Sequence, residues 1–158
     1  NPQGIFAKSK YAGEQFVTQL MTRYVIIRSS WIYGIGQDFL DEVLEAAADP
    51  SVTSLTLKDN SRAIPTSAEE LARIVMLFID ADHFGTYHAV CSGDSCTRLE
   101  FAREILRLAG KEDSLTLSVA ENATQKYSVL DNMMLRITGL PQPADWRGVL
   151  KDFMQEQS

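Results

Sequence analysis

Few residues in this sequence combine the type and spacing that chemistry needs. Lys10 follows Phe6 by four positions in "GIFAKSKYAGE" (residues 4–14), one helical turn, so both side chains fall on one face. Taken alone, the pair reads as a solvated lysine beside a core phenylalanine. "YGIGQDF" (33–39) sets Gly34-x-Gly36 between a strand pattern and a helix pattern, where backbone N–H groups can meet a phosphate. The third glycine of a dinucleotide turn falls on Phe39, and no acidic residue closes a clear second strand about 20 residues on. A turn feeding a helix N-cap is the better reading of 34–38. Ser30 and Trp31 lie in "RSSWIYG" (28–34), at the carboxyl end of a β-branched run, the place where open α/β sheets take ligands. Two roles stay open for Trp31: core packing, or stacking on a base or sugar face while the indole N–H donates.

The remaining reactive types are sparse. Cys91 and Cys96 are the two cysteines, His83 and His88 the two histidines. This is a weak metal signature and reads as reduced, partly buried thiols, so no metal is expected. Neither histidine has a carboxylate–serine pattern near it. Glu69, at a helix start, reads as a capping-region carboxylate rather than a cation contact. The 158 residues are 45% hydrophobic, 9% aromatic and 23% charged, with a net charge of −6 spread along the chain. That supports one packed domain over 1–158 and lacks the basic footprint of a nucleic-acid binder. No apolar run nears the ~20 residues of a membrane span, and the start carries no signal-peptide pattern. The expectation is a cytoplasmic protein, with neither nucleic acid nor membrane as partner.

The elements that must position these residues follow from periodicity. Phe6, Phe16, Val17 and Leu20 predict an apolar stripe on a helix over 4–22, and Tyr24 to Arg28 a buried strand. Asp38 starts a helix to about 48, stopped by Asp49-Pro50. "SLTLK" (54–58) reads as a strand and "DNSRAIPT" (59–66) as a loop or short extended piece. Thr66 or Ser67 caps a helix over 67–81; "GTYHAVC" (85–91) is a strand, and 97–108 a helix ending at Gly110. "SLTLSVA" (114–120) is a further strand, 126–143 is irregular, and Asp145 caps a last helix of 145–156. Strands alternate with helices, the pattern of an α/β fold. The chain opens on a helix, without the strand and glycine-rich turn that begin a doubly wound sheet, so it is expected to be part of a larger protein.

Together these stretches resemble the extended short-chain dehydrogenase/reductase family, and within it the dTDP-4-dehydrorhamnose reductases. "FAKSKYAGE" is similar to the family's Y-G-K-[ST]-K-x-x-G-E helix at Lys8, Ser9, Lys10, Gly13 and Glu14, and "RSSWIYG" matches its R-[ST]-S-W-[VI]-Y-G strand. Asp38-Phe39 answers the following N-F, "RAIPTSAEELARIV" the P-T segment, and "GTYHAVCSG" the G-x-Y-H strand. "KYSVLDNMMLRITGLPQPADWRGVLKDFM" is similar to the family's tail. The resemblance runs from about Asn1 to Phe153 and covers the carboxyl-terminal part of such an enzyme. It implies Rossmann-like sheet elements plus a small substrate-binding domain. The amino-terminal NAD(P)-binding half would lie before residue 1. NADPH or NADH would serve the full-length parent, with none expected on this fragment. Lys10 would hydrogen-bond the nicotinamide ribose, while Ser30 and Trp31 would contact a dTDP-sugar substrate on its way to dTDP-L-rhamnose.

Departures from the pattern matter as much. Phe6 stands where the family has its proton-donating tyrosine, and loss of a positioned acid costs roughly 10²–10⁴ in rate. Tyr11 is rotated roughly 140° around the helix from Phe6, at ~100° per residue, and does not replace it. Ala7 replaces the next glycine, Thr124-Gln125 replace an Arg-Pro, and Asp59-Asn60-Ser61-Arg62 match a D-Q-x-G stretch loosely. The chain alone is expected to be inactive. The alternative is a non-catalytic regulatory or ligand-binding homologue; an epimerase or dehydratase fits the tryptophan strand and the tail less well. A sheet cut from its neighbours exposes an edge and an apolar face, so self-association is expected.

Overall fold

The computed structural model describes residues 2, 4–79 and 82–157. In chain order the elements are α1 (Gly4–Leu20), β1 (Val25–Arg28), β2 (Ile32–Tyr33), α2 (Phe39–Ala48), β3 (Ser54–Asp59), β4 (Arg62–Ala63) and β5 (Thr66–Ser67). There follow α3 (Ala68–Met76), β6 (Gly85–His88), β7 (Cys96–Thr97), α4 (Arg98–Leu108), β8 (Thr116–Thr124), α5 (Met133–Ile137) and α6 (Trp146–Glu156). Three strand pairs are parallel, β1 with β6, β2 with β5 and β3 with β8; β4 and β7 run antiparallel. Parallel neighbours separated by helices are the α/β arrangement that the alternation predicted.

Local chemistry explains why the helices start where they do. The Asp38 carboxylate accepts from the N–H groups of Leu40 and Asp41, and Asp41 answers with a bond from the Asp38 N–H. Thr97 and Glu100 make the same reciprocal box on α4, Ser67 caps α3 and Asp145 caps α6. Each cap fills amide donors that a helix end otherwise leaves unpaired.

Two apolar cores result. The larger joins Phe101, Ile105 and Leu106 of α4 to Val43 of α2, Trp146 and Leu150 of α6, and Tyr33 of β2. The smaller packs Ile74 of α3 and Leu135 of α5 against Tyr87 and Ala89.

The structure departs from the sequence reading at several points. α1 forms but ends at Leu20, and it carries no buried residue; the predicted stripe of Phe6, Phe16, Val17 and Leu20 is exposed. In the 59–66 stretch the extended alternative is the one that forms, as two short strands, β4 and β5, each paired to a distant segment. β6 stops at His88, although Ala89, Val90 and Cys91 continue buried. β8 runs on through Thr124, held by its pairing with β3. α3 is shorter than 67–81: it ends at Met76 with a turn through Ile79, and residues 80 and 81 of the predicted helix lie outside the described residues. The segment read as irregular contains α5, whose five residues are too few for a 3.6-residue period to register. Its preceding Asn132 is diverted from capping, since its amide accepts from Val90 N–H and donates to the Val90 carbonyl.

Candidate functional site

α1 carries the Lys10–Phe6 pair. The Lys10 ammonium lies 5.7 Å from the Phe6 ring centroid, and both side chains are exposed, Phe6 at 75%. The tie from α1 to the sheet is polar. Arg28, at the end of β1, gives a forked pair of bonds to the Glu14 carboxylate, from Nε at 2.8 Å and from Nη2. That hydrogen-bonded cation holds the Glu14 carboxyl below its usual range. His88, opposite Arg28 in the β1–β6 register, adds a weaker charge contribution. Its ring nitrogen lies 3.2 Å from the Asp131 carbonyl oxygen.

Past β1 the chain turns at Trp31, which has φ of 45°, the left-handed region that a bulky residue rarely adopts. A bond from Thr66 N–H to the Trp31 carbonyl, at 3.1 Å, anchors that turn to β5. Strain of this kind persists only where surrounding structure holds it. Here Phe101 stacks against the indole at 6.3 Å between centroids, and the Arg98 guanidinium lies over the indole at 4.0 Å. The same guanidinium lies 4.6 Å from the Phe39 ring centroid. Trp31 packs into the larger core while remaining partly exposed. Before it, the hydroxyls of Ser29 and Ser30 are buried without a hydrogen-bond partner, as is the Tyr33 hydroxyl, whose pKa burial raises.

Two concavities flank this segment. Phe39, Glu42, Leu57, Lys58, Asp59 and Arg98 line a cleft of about 430 Å³. A groove of about 660 Å³ runs from Gly34 and Gly36 past Leu40 and Arg107 to Phe153. The glycine turn is a cap, as its spacing indicated: the Gly34 N–H donates to Asp38 at 2.8 Å. Thr124, at the position where the resemblance places an arginine, pairs in register with Asp59 of the first cleft.

No hydrogen bond, ion pair or ring contact among the described residues joins Lys10 to Ser30 or Trp31. Both cysteines are free and buried, which pushes the Cys91 thiol up to about 11 and Cys96 up to about 12. They are inert side chains of the core. No cluster of metal-ligating groups occurs among the described residues, and no described helix is long and apolar enough to cross a membrane. Glu69 is exposed; its neighbour Glu70 is the buried carboxylate, paired with Arg73 at 2.7 Å and accepting from Ala144 N–H. Sequence reasoning missed Arg98. Its signal was a cation placed directly after the capping Thr97, where the positive end of a helix disfavours it.

The RmlD substrate binding domain family matches residues 1–158. This chain belongs to that family. Its fold is α/β with Rossmann-like relatives. The Bacillus subtilis spore coat polysaccharide biosynthesis protein SpsK is 30% identical, covering 100% of this chain and 56% of SpsK. A dTDP-4-dehydrorhamnose reductase ortholog from Clostridium acetobutylicum superposes with a TM-score of 0.88 at 34% identity, covering 99% of this chain and 57% of that one. The Bacillus anthracis dTDP-4-dehydrorhamnose reductase, solved in complex with NADP, gives 0.87 at 31%, over 98% of this chain and 56% of that one. The chain spans about half the length of the curated relatives it matches.

Proposed function

We propose that this chain is the sugar-nucleotide-binding portion of a dTDP-4-dehydrorhamnose-reductase-like protein. In the whole protein, NADPH or NADH reduces the C4 ketone of dTDP-4-dehydro-L-rhamnose to dTDP-L-rhamnose, and an amino-terminal half carries the NAD(P) site. The observation that carries this reading is the match of a substrate binding domain to all 158 residues. The strained Trp31 turn, with its indole under the Arg98 guanidinium that lines the cleft, supports placing the sugar nucleotide there. In this reading Ser30 and Trp31 contact the sugar nucleotide and Lys10 reaches the nicotinamide ribose.

The Gly34-x-Gly36 turn serves as a helix cap in this reading. The Gly34 amide is engaged by Asp38, and Phe39 stands at the third glycine position. In this reading the share of this chain is to bind and orient substrate. Titration of the chain with dTDP-sugars, followed by tryptophan fluorescence, tests this directly. Saturable change that disappears in Trp31→Phe is expected, because Trp146 is buried away from solvent. No change at millimolar ligand would overturn it. Self-association through the exposed face of α1 belongs to the same reading, and sedimentation as a monomer at every concentration would remove it.

A second reading is a non-catalytic ligand-binding or regulatory homologue, and Phe6 is the observation that favours it. A benzyl ring has no proton to give, and Glu14, the carboxyl one turn beyond Lys10 on α1, is engaged by the Arg28 guanidinium. In the whole protein, Phe6→Tyr should raise NADPH oxidation with the keto sugar by roughly 10²–10⁴ if only the acid was lost. Absence of turnover in both forms, with sugar-nucleotide binding intact, would favour the second reading.

A further inference from the structure

Arg98 is the first residue of α4, a position where the helix dipole opposes its charge. Its guanidinium nevertheless lies over two aromatic rings, Trp31 and Phe39. A cation held against ring faces in this way forms no hydrogen bond with them, so the contacts with Trp31 and Phe39 use up none of its N–H donors. No hydrogen bond or ion pair of that side chain occurs among the described residues, whereas Arg23, Arg28, Arg62, Arg73, Arg107 and Arg136 each have a carboxylate partner. Burial holds the Arg98 pKa below its usual value, against the opposing charges of Asp59, Asp38 and Glu42.

The acidic groups that face it do not complete it. Asp59 accepts from the Ser61 N–H and hydroxyl, and Asp38 is engaged in capping α2. Glu42 lines the same cleft without reaching the guanidinium. Lys58 brings a second cation to that cleft, and Phe39 and Leu57 give it an apolar wall. Its volume, about 430 Å³, falls in the range of small-molecule sites. The empty donors call for a planar or tetrahedral oxyanion, and the apolar wall for a ring attached to it.

We propose that Arg98 is the phosphoryl-recognition residue of this chain, its guanidinium oriented by Trp31 and Phe39 to take a diphosphate of the nucleotide sugar in this cleft. The proposal rests on the sugar-nucleotide reading above and adds the residue that supplies the charge. It also assigns Trp31 a positioning role: the indole orients the guanidinium as well as meeting ligand.

Calorimetric titration of the 158-residue chain with dTDP, thymidine and inorganic pyrophosphate tests it, on wild type, Arg98→Met and Arg98→Lys. Arg98→Met keeps an unbranched stem over the two rings, and a thermal melt checks its fold. The expected result is a loss of roughly 10- to 100-fold in dTDP affinity in Arg98→Met, with thymidine affinity unchanged. Arg98→Lys should recover only part of it, because an ammonium lacks the fork. Equal losses for dTDP and thymidine, or no loss for either, would overturn the role of Arg98 while leaving the substrate reading intact. If the wild type binds pyrophosphate through Arg98 but no dTDP, the anion site stands and the substrate reading falls. A wild type that binds neither overturns both.

Discussion

Phe6 and Phe101 are the same side chain in opposite circumstances. Phe101, on α4, is 1% exposed and touches the rings of Trp31, Tyr33, Phe39 and Trp146. Phe6, on α1, is 75% exposed, with the Lys10 ammonium over it. Both helices are amphipathic, yet one is fixed by apolar burial and the other by an ion pair to β1. The difference teaches that the cleft of Arg98 stands on a rigid support within this chain, while the Lys10 helix has its apolar face open. Burial is what turns a hydrophobic stripe into stability.

The largest expected effects lie on the packed side. Phe101→Ala removes the ring shared by four others and should cost about 3–5 kcal/mol, the range for a buried phenylalanine whose cavity cannot collapse. Urea unfolding measures it; a loss under about 1 kcal/mol would mean that the aromatic cluster relaxes to fill the void. Asn132→Ala should come next. It strands the Val90 N–H and carbonyl, which its amide satisfies at 3.1 and 2.7 Å, and should cost about 2–4 kcal/mol for two unpaired buried groups. Retained stability would show that water reaches those groups once the amide is gone.

Much of this contrast was legible in the sequence, though not all of it. Asp38, Thr97 and Asp145 announced helix starts because a cap is a local bond between near neighbours. The Gly34-x-Gly36 turn was separable from a dinucleotide site because Phe39 occupies a position that must approach a phosphate closely. What sequence could not give was partnership across the chain. The stripe of α1 looked like a core face, since periodicity reports which residues could be buried and not whether anything covers them. α5 was hidden by its length, and the role of Asn132 by its distance of 42 positions from Val90. Arg98 broke a local rule, a cation at a helix start, and such breaks have their explanation in three dimensions.

The polar tie of α1 gives a smaller, pH-dependent effect. The Glu14 carboxyl has its folded pKa depressed, chiefly by the hydrogen bonds from Arg28. Its contribution is therefore complete well above the unfolded value of about 4.3 and is lost as pH falls through the lower folded value. With the Arg28 side chain 45% exposed, the contribution should stay below about 1 kcal/mol. Amide exchange, corrected for intrinsic rates, should show residues 4–20 losing protection on acidification before residues 98–108 do. In Glu14→Gln that early loss should vanish, because α1 is already loosened at neutral pH. Simultaneous loss from both helices would mean that α1 is coupled to the core by more than this pair.

The smallest effect should be the most informative about Phe6. Phe6→Ala removes a ring that buries little in this chain, so unfolding free energy should change by no more than about 0.5 kcal/mol, against several for Phe101→Ala. Any change above that would show that Phe6 is packed in solution, against another copy or against a neighbouring segment. Dilution separates the two: an effect that fades as the chain is diluted belongs to contact between copies. An effect that persists belongs to the chain itself and would place the face of Lys10 in contact with its own protein, closing the gap between the two helices that the exposed ring now marks.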